Sequence, residues 1–530
     1  MTSRTFNAIS SAAAMPSTGT FTGTGSSGRA VPARGVVAGR PSSSTPSRAD
    51  FGKTAGVSVR SAERSAHIVE GIKGVLLSCC YFGIAQAGLF THYDGALFAV
   101  GAAVCLPQWR PYILLMLLSL QDAPGQVIPF DYAAVAGIAI LTLLGKAFSG
   151  THIVLTHDER QFRTIAFVAI AVVIYGLASS FIYHHFGYYE QSPTRLYYVV
   201  GGLMITMILT AYLAHQHICH DPFAVTRLRV VGICILIHIF LIAGLQVVFG
   251  PMFGASVQGA AEIIRNDQAM NPGERGLARL RGPFLSPNAL ASVPSLFMLI
   301  LLRTRRSRTI PSAFIAFYFI AGVTVAALGS ARTMFVFYLA ATAGMTWTRS
   351  PGKTIGVALL MSPLIFLVEI PWDDILVVMR LNNLQSLGVR GRLWQVSVDN
   401  MHLFEWMFGF GLTHFPVMFK AHLGYTASDP HTWILSIAGM FGFIGLLFYF
   451  YLGVKLLQRT ISSDKVEQAS AICLLLFLIG RELGNTQYVL NNHPLCCLYW
   501  LSIGFTLSGP KAASSPPVFA PRQFSGGQSR

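Results

Sequence analysis

The chain has 530 residues, of which 53% are hydrophobic and only 11% are charged, and its mean hydropathy is +0.55. Soluble proteins carry about 25% charged residues, so this composition excludes a soluble multidomain protein. The formal net charge is +16, and the basic residues fall mostly between long apolar runs. That distribution is typical of cytoplasmic membrane loops rather than of a nucleic-acid-binding surface. We predict an all-α polytopic membrane protein that contacts the lipid bilayer and binds no nucleic acid.

Residues 1–65 are rich in Ser, Thr, Gly, Ala and Pro, with scattered arginines and no hydrophobic period. Such a segment cannot bury enough apolar area to offset its ordering entropy, so we predict a disordered basic tail, and a second one at residues 511–530. No apolar run follows the early charges, which argues against a secretory signal. A Ser/Arg-rich transit peptide is the alternative to a cytosolic tail that contacts anionic lipid.

From Lys73 onward, apolar runs alternate with short polar breaks. The runs that predict helices are residues 74–90, 94–106, 111–120, 131–148, 164–183, 196–214, 229–249, 286–302, 312–328, 333–347, 354–370, 432–454, 468–480 and 494–508. A helix needs about 20 residues to cross the hydrocarbon, and the second and third runs are too short to cross separately. Because those two could form one re-entrant pair, we predict about 12–14 transmembrane helices.

The basic residues between these runs predict which side of the membrane each break occupies. By the positive-inside rule, five clusters should lie in the cytoplasm. They are Arg160 with Arg163, Arg227 with Arg229, the group Arg303, Arg305, Arg306 and Arg308, Arg349 with Lys353, and Lys455 with Arg459. One topology accommodates all five and places both termini in the cytoplasm. Two long breaks, 250–285 and 371–431, then lie on the opposite, extracytoplasmic face.

Those two breaks are longer than most connections, and long loops tend to be functional. Most of their cations are arginine. Because the planar guanidinium group binds phosphate through two parallel hydrogen bonds, we expect an anionic ligand at the outer membrane surface.

Four stretches in this part of the chain form a series. They are Arg281-Gly-Pro-Phe-Leu-Ser-Pro-Asn288-Ala-Leu-Ala, then Gly329-Ser-Ala-Arg332-Thr, then Arg390-Gly-Arg392-Leu-Trp394 with Gly409-Phe-Gly411, and finally His431-Thr-Trp-Ile-Leu435 with Gly442-Phe-Ile-Gly445. The series, over residues 280–446, resembles the O-antigen ligase and Wzy-type polysaccharide polymerase family of bacterial inner-membrane glycosyltransferases. It departs from that family at Thr432, where Asn is usual, and at Met440, where Glu is common.

The resemblance implies a GT-C-like bundle, with N-terminal transmembrane helices at 66–250 and a ligase- or polymerase-like region at 251–510. It implies transfer of a glycan from an undecaprenyl-diphosphate carrier to lipid A–core or to another glycan, with a chain-length regulator protein as a further partner. Arg281 and Arg390 match the family's pyrophosphate-binding arginines, and Arg392 and Arg332 are further substrate-binding candidates. His431 matches its essential histidine.

The chemistry that this transfer needs fits those residue types. Positive charge must face the leaving diphosphate, and a neutral imidazole can accept the proton of the attacking hydroxyl near pH 7. A single displacement inverts the anomeric configuration. We expect neither a metal nor a cofactor, because arginines can hold the diphosphate.

Simpler interpretations accompany each assignment. An arginine at a helix end often anchors the helix at the interface, and for Asn288 a helix cap and a substrate contact are equally good interpretations. His402, His414 and His422 have no matching motif and are interpreted as ordinary loop residues. We interpret His215, His217 and His220 as helix-end residues rather than metal ligands, and Arg481–Glu482 as a paired charge in the bundle.

Function also has competing hypotheses. A transporter or flippase of lipid-linked oligosaccharide would require charged spans, inverted repeats and short connections, whereas the predicted spans are nearly uncharged. A non-catalytic scaffold for polysaccharide assembly is a third hypothesis. Within the enzyme class, ligase, polymerase and transfer to protein serines all stay open.

Overall fold

Every regular element in the described part of the chain is helical, as the sequence predicts. The computed structural model describes residues 50–87, 94–120, 128–149, 155–185, 194–250, 253, 280–284, 287–303, 312–328, 338, 341–344, 346–347, 385–424, 430, 432–462, 465–482, 489–490 and 495–508. The chain divides into two units, Met1–Arg60 and Ser61–Arg530. Of the first unit, only the beginning of one helix is described.

Fifteen α-helices are described, together with a 3-10 turn at Pro107–Trp109. They are α1 (Asp50–Ala87), α2 (Asp94–Cys105), α3 (Arg110–Leu120), α4 (Ile128–Ser149), α5 (His157–His185), α6 (Thr194–His220), α7 (Ala224–Phe249), α8 (Pro287–Arg303), α9 (Ser312–Leu328), α10 (Gln385–Asp399), α11 (Leu403–Phe408), α12 (His414–Leu423), α13 (Trp433–Thr460), α14 (Lys465–Glu482) and α15 (Leu495–Leu507).

Five of these helices contain a segment long and apolar enough to cross a membrane. The segments are Arg64–Gln86, His157–His185, Tyr197–His220, Ala224–Phe249 and Trp433–Thr460. Their outward faces keep large apolar side chains exposed, such as Ile174 on α5, Leu241 on α7 and Phe450 on α13. Lipid solvates such faces, so the chain is a multi-pass, all-α membrane protein.

Two short helices form the centre of the bundle. Pro111–Leu120 of α3 is entirely buried, and so are all residues of α15. Helix α15 packs against α5, α6 and α8. Both helices are shorter than the bilayer thickness requires, and their apolar surfaces are covered by protein. Helices α2 and α3 pack against each other across the 3-10 turn, the arrangement that a re-entrant pair requires.

Two expectations from the sequence need correction. Helix α1 begins at Asp50, so it extends well into the segment 1–65 that was predicted to be disordered. Adding turns to an existing helix is far easier than starting one, and the apolar span of α1 supplies that start. The break 371–431 is also not a simple loop, because α10, α11 and α12 lie within it. The predicted run 354–370 and most of 333–347 lie outside the described residues.

Three of the five basic clusters lie at one end of the bundle, as the charge pattern predicts. Arg459 at the end of α13 contacts Asp158 at the start of α5, with 2.7 Å between nitrogen and oxygen. Glu159 lies 4.0 Å from His220 at the end of α6, and the connection that follows carries Asp221, which pairs with Arg227. We call this end of the bundle the basic end.

Arg227 is the most heavily paired side chain at the basic end. It is 1% exposed and donates to Glu70 Oε2 of α1 at 2.9 and 2.6 Å and to Asp221 Oδ2 at 3.0 Å. Its guanidinium group also lies 4.9 Å from the centre of the Trp109 ring. A buried charge is tolerated when it is paired and hydrogen-bonded, so this cluster joins α1, the 3-10 turn and α7.

Replacing Arg227 by Met should therefore destabilise the protein by about 3–5 kcal/mol, because buried Asp221 would lose its ion pair and Glu70 would keep only Lys73 as a partner. The measurement is the thermal unfolding temperature of the purified protein in detergent. Arg160→Met removes an exposed charge from the same end and should change stability by less than about 0.5 kcal/mol. Equal losses in the two variants would contradict a structural role for the buried cluster.

Candidate active site

The predicted site residues that are described lie at the end of the bundle opposite the basic end. Helices α5 and α7 begin at the basic end and α13 finishes there. The last residues of α5 and α7 and the first residues of α13 are therefore together at the far end, which we call the site end. Three of the five basic clusters thus lie at one end of the bundle, and the described motif residues lie at the other.

Arg281 lies in a buried turn at the site end. Gln246, near the end of α7, accepts hydrogen bonds from the backbone N–H groups of Arg281 at 3.1 Å and of Gly282 at 2.9 Å. It donates in return to the carbonyl oxygen of Gly282 at 2.7 Å. Gly282 has φ +59°, and a Cβ there would lie 2.9 Å from Leu290 Cδ1 of α8. The turn is fixed between α7 and α8, and Arg281 itself is 3% exposed.

The third and fourth motifs meet through a single hydrogen bond. Trp394 of α10 donates from Nε1 to the carbonyl oxygen of Pro430 at 2.8 Å. Pro430 is buried and directly precedes His431. Thr432, the next residue along, is the N-cap of α13, although its side chain makes no capping hydrogen bond. The residues on both sides of His431 are therefore tied to α10 and α13.

The glycine pairs of the same two motifs also meet. Gly409 has φ +71°, and a Cβ on it would lie 2.7 Å from the backbone nitrogen of Gly442. Gly442 has φ 62° and ψ −154°, which breaks the helical geometry inside α13. The backbone N–H of Phe410 donates to the carbonyl oxygen of Gly439 at 2.7 Å. Two backbones approach too closely here for any side chain, which explains why both positions are glycine.

The predicted substrate-binding arginines have different positions. Arg392 is exposed on α10, two residues before Trp394. Arg390 also belongs to α10, but its side chain lies outside the described residues, as do His431 and Arg332. Helix α8 begins at Pro287, so Asn288 falls inside its first turn rather than at the cap position predicted for it.

One cleft at the site end contains residues that the motifs did not indicate. Its cavity volume is about 30 Å³, room for about one or two water molecules, and it is lined by Ser180, Tyr183, His184, Tyr197, Phe410, Thr413 and His414. Nδ1 of His184 is buried and has no hydrogen-bond partner among the described residues. Sequence reasoning missed this cleft, because it joins the end of α5 to a segment about 230 residues later. Of the residues that line the cleft, only Phe410, between Gly409 and Gly411, belongs to one of the four motif stretches.

His414 was interpreted as an ordinary loop residue, whereas it begins α12 and is buried in the cleft. Burial lowers the pKa of His414 to about 4, and the negative charge of Glu405 opposes that shift. The imidazole is therefore neutral at pH 7, and a neutral imidazole can both donate and accept a hydrogen bond. Phe410 lies beside it, with 4.4 Å between ring centres.

The other histidines agree with the simpler interpretation. His215, His217 and His220 lie in the last two turns of α6, and Nε2 of His215 lies 2.8 Å from the carbonyl oxygen of Ser508. Among the described residues, no group of three or more His, Cys, Asp or Glu side chains could hold a metal ion. The pair Arg481–Glu482 ends α14, and its side chains lie outside the described residues.

Comparison of the chain with protein-family models, curated proteins and solved structures found no match. The resemblance to glycosyltransferases therefore depends on the four motif stretches and on how the fold arranges them.

The contact between the two glycine motifs predicts a strong effect of Gly442→Ala. A Cβ at this position would overlap the carbonyl oxygen of Met407, and the positive φ is strained for any residue except glycine. We expect a loss of at least about 2 kcal/mol in thermal unfolding. Gly453→Ala, in the same helix, meets nothing within 4 Å and should be neutral or stabilising by up to about 1 kcal/mol. A small effect at Gly442 would mean that the two backbones are not in contact.

Proposed function

We propose that the protein is a metal-independent, inverting glycosyltransferase of the bacterial inner membrane. It would transfer or polymerise a glycan from an undecaprenyl-diphosphate carrier on the periplasmic face. The observation that carries this proposal is the hydrogen bond from Trp394 to Pro430. It places the helix that contains Arg390 and Arg392 beside the residue that precedes His431, as a base adjacent to a diphosphate site requires.

The proposed reaction is a single displacement. The acceptor hydroxyl oxygen attacks the anomeric carbon while the bond from that carbon to the diphosphate oxygen breaks. Neutral His431 takes the hydroxyl proton, and the lipid diphosphate leaves with the bonding electron pair. Arg390 and Arg392 neutralise the charge that develops on the diphosphate, and preorganised charge of this kind contributes strongly to catalysis. Arg281 and Arg332 are further candidates for that role.

The topology proposed for this reaction follows the charge pattern. The basic end faces the cytoplasm, the site end faces the periplasm, and about 12–14 helices of a GT-C-like bundle cross the bilayer. The acceptor is lipid A–core if the enzyme is a ligase, or the end sugar of another chain if it is a polymerase. A chain-length regulator would be a partner of a polymerase.

Changing His431 to Ala tests the proposal. Loss of a general base lowers a rate about 10²–10⁴-fold, so long-chain surface glycan should disappear from a strain that carries this variant. Polymer retained on its lipid carrier would indicate a ligase, and accumulated single repeat units would indicate a polymerase. The measurement is the lipopolysaccharide and extracellular glycan profile.

His422→Ala is the matched control, because His422 is an exposed histidine on α12 in the same part of the chain. Its glycan profile should equal that of the parent strain. A normal profile in the His431→Ala strain, with the variant present in the membrane at parental level, would remove the catalytic assignment.

Trp394→Phe tests the positioning of that histidine. Phe keeps the aromatic ring but removes the N–H group that binds Pro430, and a neutral hydrogen bond contributes about 1 kcal/mol. The unpaired carbonyl oxygen should lower stability by about 1 kcal/mol, and we expect glycan transfer per folded molecule in isolated membranes to fall about fivefold as well. Unchanged transfer per folded molecule would indicate that Trp394 is only a packing residue.

A flippase of lipid-linked oligosaccharide is the second candidate, and one observation favours it. Transporters build binding sites at breaks in membrane helices, and α13 is broken at Gly442. The two functions differ in where substrate collects when the protein is inactive. A lost flippase leaves lipid-linked oligosaccharide on the cytoplasmic leaflet, whereas a lost transferase leaves it on the periplasmic leaflet, where a membrane-impermeant lectin can bind it.

A further inference from the structure

The segment that follows α10 runs down the side of α5 instead of leaving the bundle. The hydroxyl group of Tyr183 donates to Glu405 Oε1 at 2.8 Å. Further from the end of α5, Ser179 Oγ donates to the carbonyl oxygen of Gly409 at 3.0 Å, and Tyr175 donates to that of Phe408 at 3.0 Å. Residues later in this segment contact residues earlier in α5. Helix α11 therefore points from the site end toward the basic end.

The chain then turns and comes back. The backbone N–H of Leu412 donates to Ser180 Oγ at 2.8 Å, and Thr413 and His414 line the cleft together with His184 near the end of α5. The turn lies at Gly409 to Gly411. The segment therefore consists of α11, which leads away from the site end, a tight turn, and a short stretch that leads back toward it.

The turn lies within the length of two candidate membrane spans. Ser179 precedes the end of α5 by six residues, which is about 9 Å at 1.5 Å per residue. Gly442, which touches Gly409, follows the start of α13 by nine residues, or about 14 Å. Two helices that face the turn from different directions therefore give it a similar depth. Helices α5 and α13 have 29 and 28 residues, about 42–44 Å at about 1.5 Å per residue, so each extends about 6 Å beyond a hydrocarbon core of about 30 Å at either end. The turn therefore lies about 2–8 Å inside the core, on the side nearest the site end.

Irregular backbone at that depth requires its polar groups to be satisfied by protein, because hydrocarbon offers no partners. Five backbone groups around the turn meet that requirement. The carbonyl oxygens of Phe408 and Gly409 accept from α5, and the N–H groups of Phe410 and Leu412 donate to α13 and to α5. The N–H of Gly409 donates to the carbonyl oxygen of Glu405 at 2.8 Å. Side-chain hydroxyl groups of α5 supply most of these partners.

The outer face of the segment is apolar and uncovered. Leu403 is 79% exposed, and Phe404, Met407 and Phe408 are each about half exposed. Helix α11 packs between α5 and α13, both of which present exposed apolar belts of their own. Those belts include Phe181 and Ile182 on α5 and Phe443, Ile444 and Leu447 on α13. The apolar face of α11 is thus continuous with two surfaces that face lipid.

We propose that Leu403–Leu412 is a re-entrant segment that enters the bilayer from the site end, and that the apolar face of α11 contacts lipid acyl chains. Depth, hydrogen bonding and exposure each support this position independently, and none of them depends on the proposed function. Phe410 of this segment lines the cleft, so the cleft lies directly beside a segment that contacts lipid.

Two cysteine variants test the proposal in vesicles of phosphatidylcholine. Met407→Cys would place a thiol on the apolar face, and Lys420→Cys would place one on the exposed surface of α12. Maleimides react with the thiolate, which does not form in hydrocarbon, so a water-soluble maleimide should label Cys at 407 at least about tenfold more slowly than at 420. Both should react equally after denaturation in detergent. Labelling of the native exposed cysteines, Cys79, Cys80 and Cys105, is subtracted using the parent chain.

A second measurement separates burial in lipid from burial in protein. A bimane fluorophore, attached at position 407 through a membrane-permeant reagent, should be quenched by phosphatidylcholine brominated along its acyl chains, whereas bimane at position 420 should not. Slow labelling together with quenching supports the re-entrant segment. Fast labelling, or slow labelling without quenching, overturns it. Phe408→Cys repeats both measurements on the same face if the Met407 variant fails to reach the membrane.

Discussion

The site end of this protein depends on the close approach of two backbones at Gly409 and Gly442. No side chain fits between them, and both residues adopt positive φ angles. The contact joins a segment that follows α10 to the broken middle of α13, and the hydrogen bond from Phe410 to Gly439 crosses it. This contact also determines where the residues after the first glycine pair lie, including Thr413 and His414.

The two ends of the bundle differ in how far charged side chains stabilise them. Arg227 and Arg459 are each fixed by two carboxylates at the basic end, so several helix ends are locked there. At the site end, backbone groups are instead satisfied by hydroxyl groups and one indole N–H, and the carboxylate of Glu405 accepts a hydrogen bond from Tyr183. Neutral partners can satisfy backbone groups at membrane depth without adding charge there, which would be costly. The two ends are therefore stabilised by different chemistry, and that difference suits one end to water and the other to a lipid-adjacent cleft.

Much of the fold could be predicted from the sequence, because an apolar run in a membrane must form a helix to satisfy its own backbone hydrogen bonds. The bounds of α9, predicted as 312–328, match the structure residue for residue, and the basic residues at α5, α7 and α13 meet at one end as the charge pattern indicates. The prediction was wrong where tertiary contacts decide the outcome. Helix α1 extends beyond its apolar part, and α11 is a membrane-depth element whose six residues give no detectable period.

The candidate site was harder to predict for a related reason. The stretches that contain Trp394 and His431 were singled out by resemblance, and the structure joins Trp394 to Pro430 by a hydrogen bond. The cleft is different, since Ser180, Tyr183 and His184 are ordinary residues at the end of an apolar helix. They acquire a role only when residues about 230 positions later pack against them. A single sequence contains no record of such a pairing.

The position of the re-entrant segment matters for any ligand that carries a lipid tail. A ligand with a long apolar tail and a polar head has its tail in the bilayer, so its head must reach protein at the level of the membrane surface or just below it. A loop wholly in water would require the tail to leave the hydrocarbon, at about 0.8 kcal/mol for each CH₂ group. A segment whose outer face contacts lipid and whose inner face lines a cleft removes that cost. The arrangement of α5, α11 and α13 would therefore lower the cost of binding for a lipid-linked substrate such as the one proposed above.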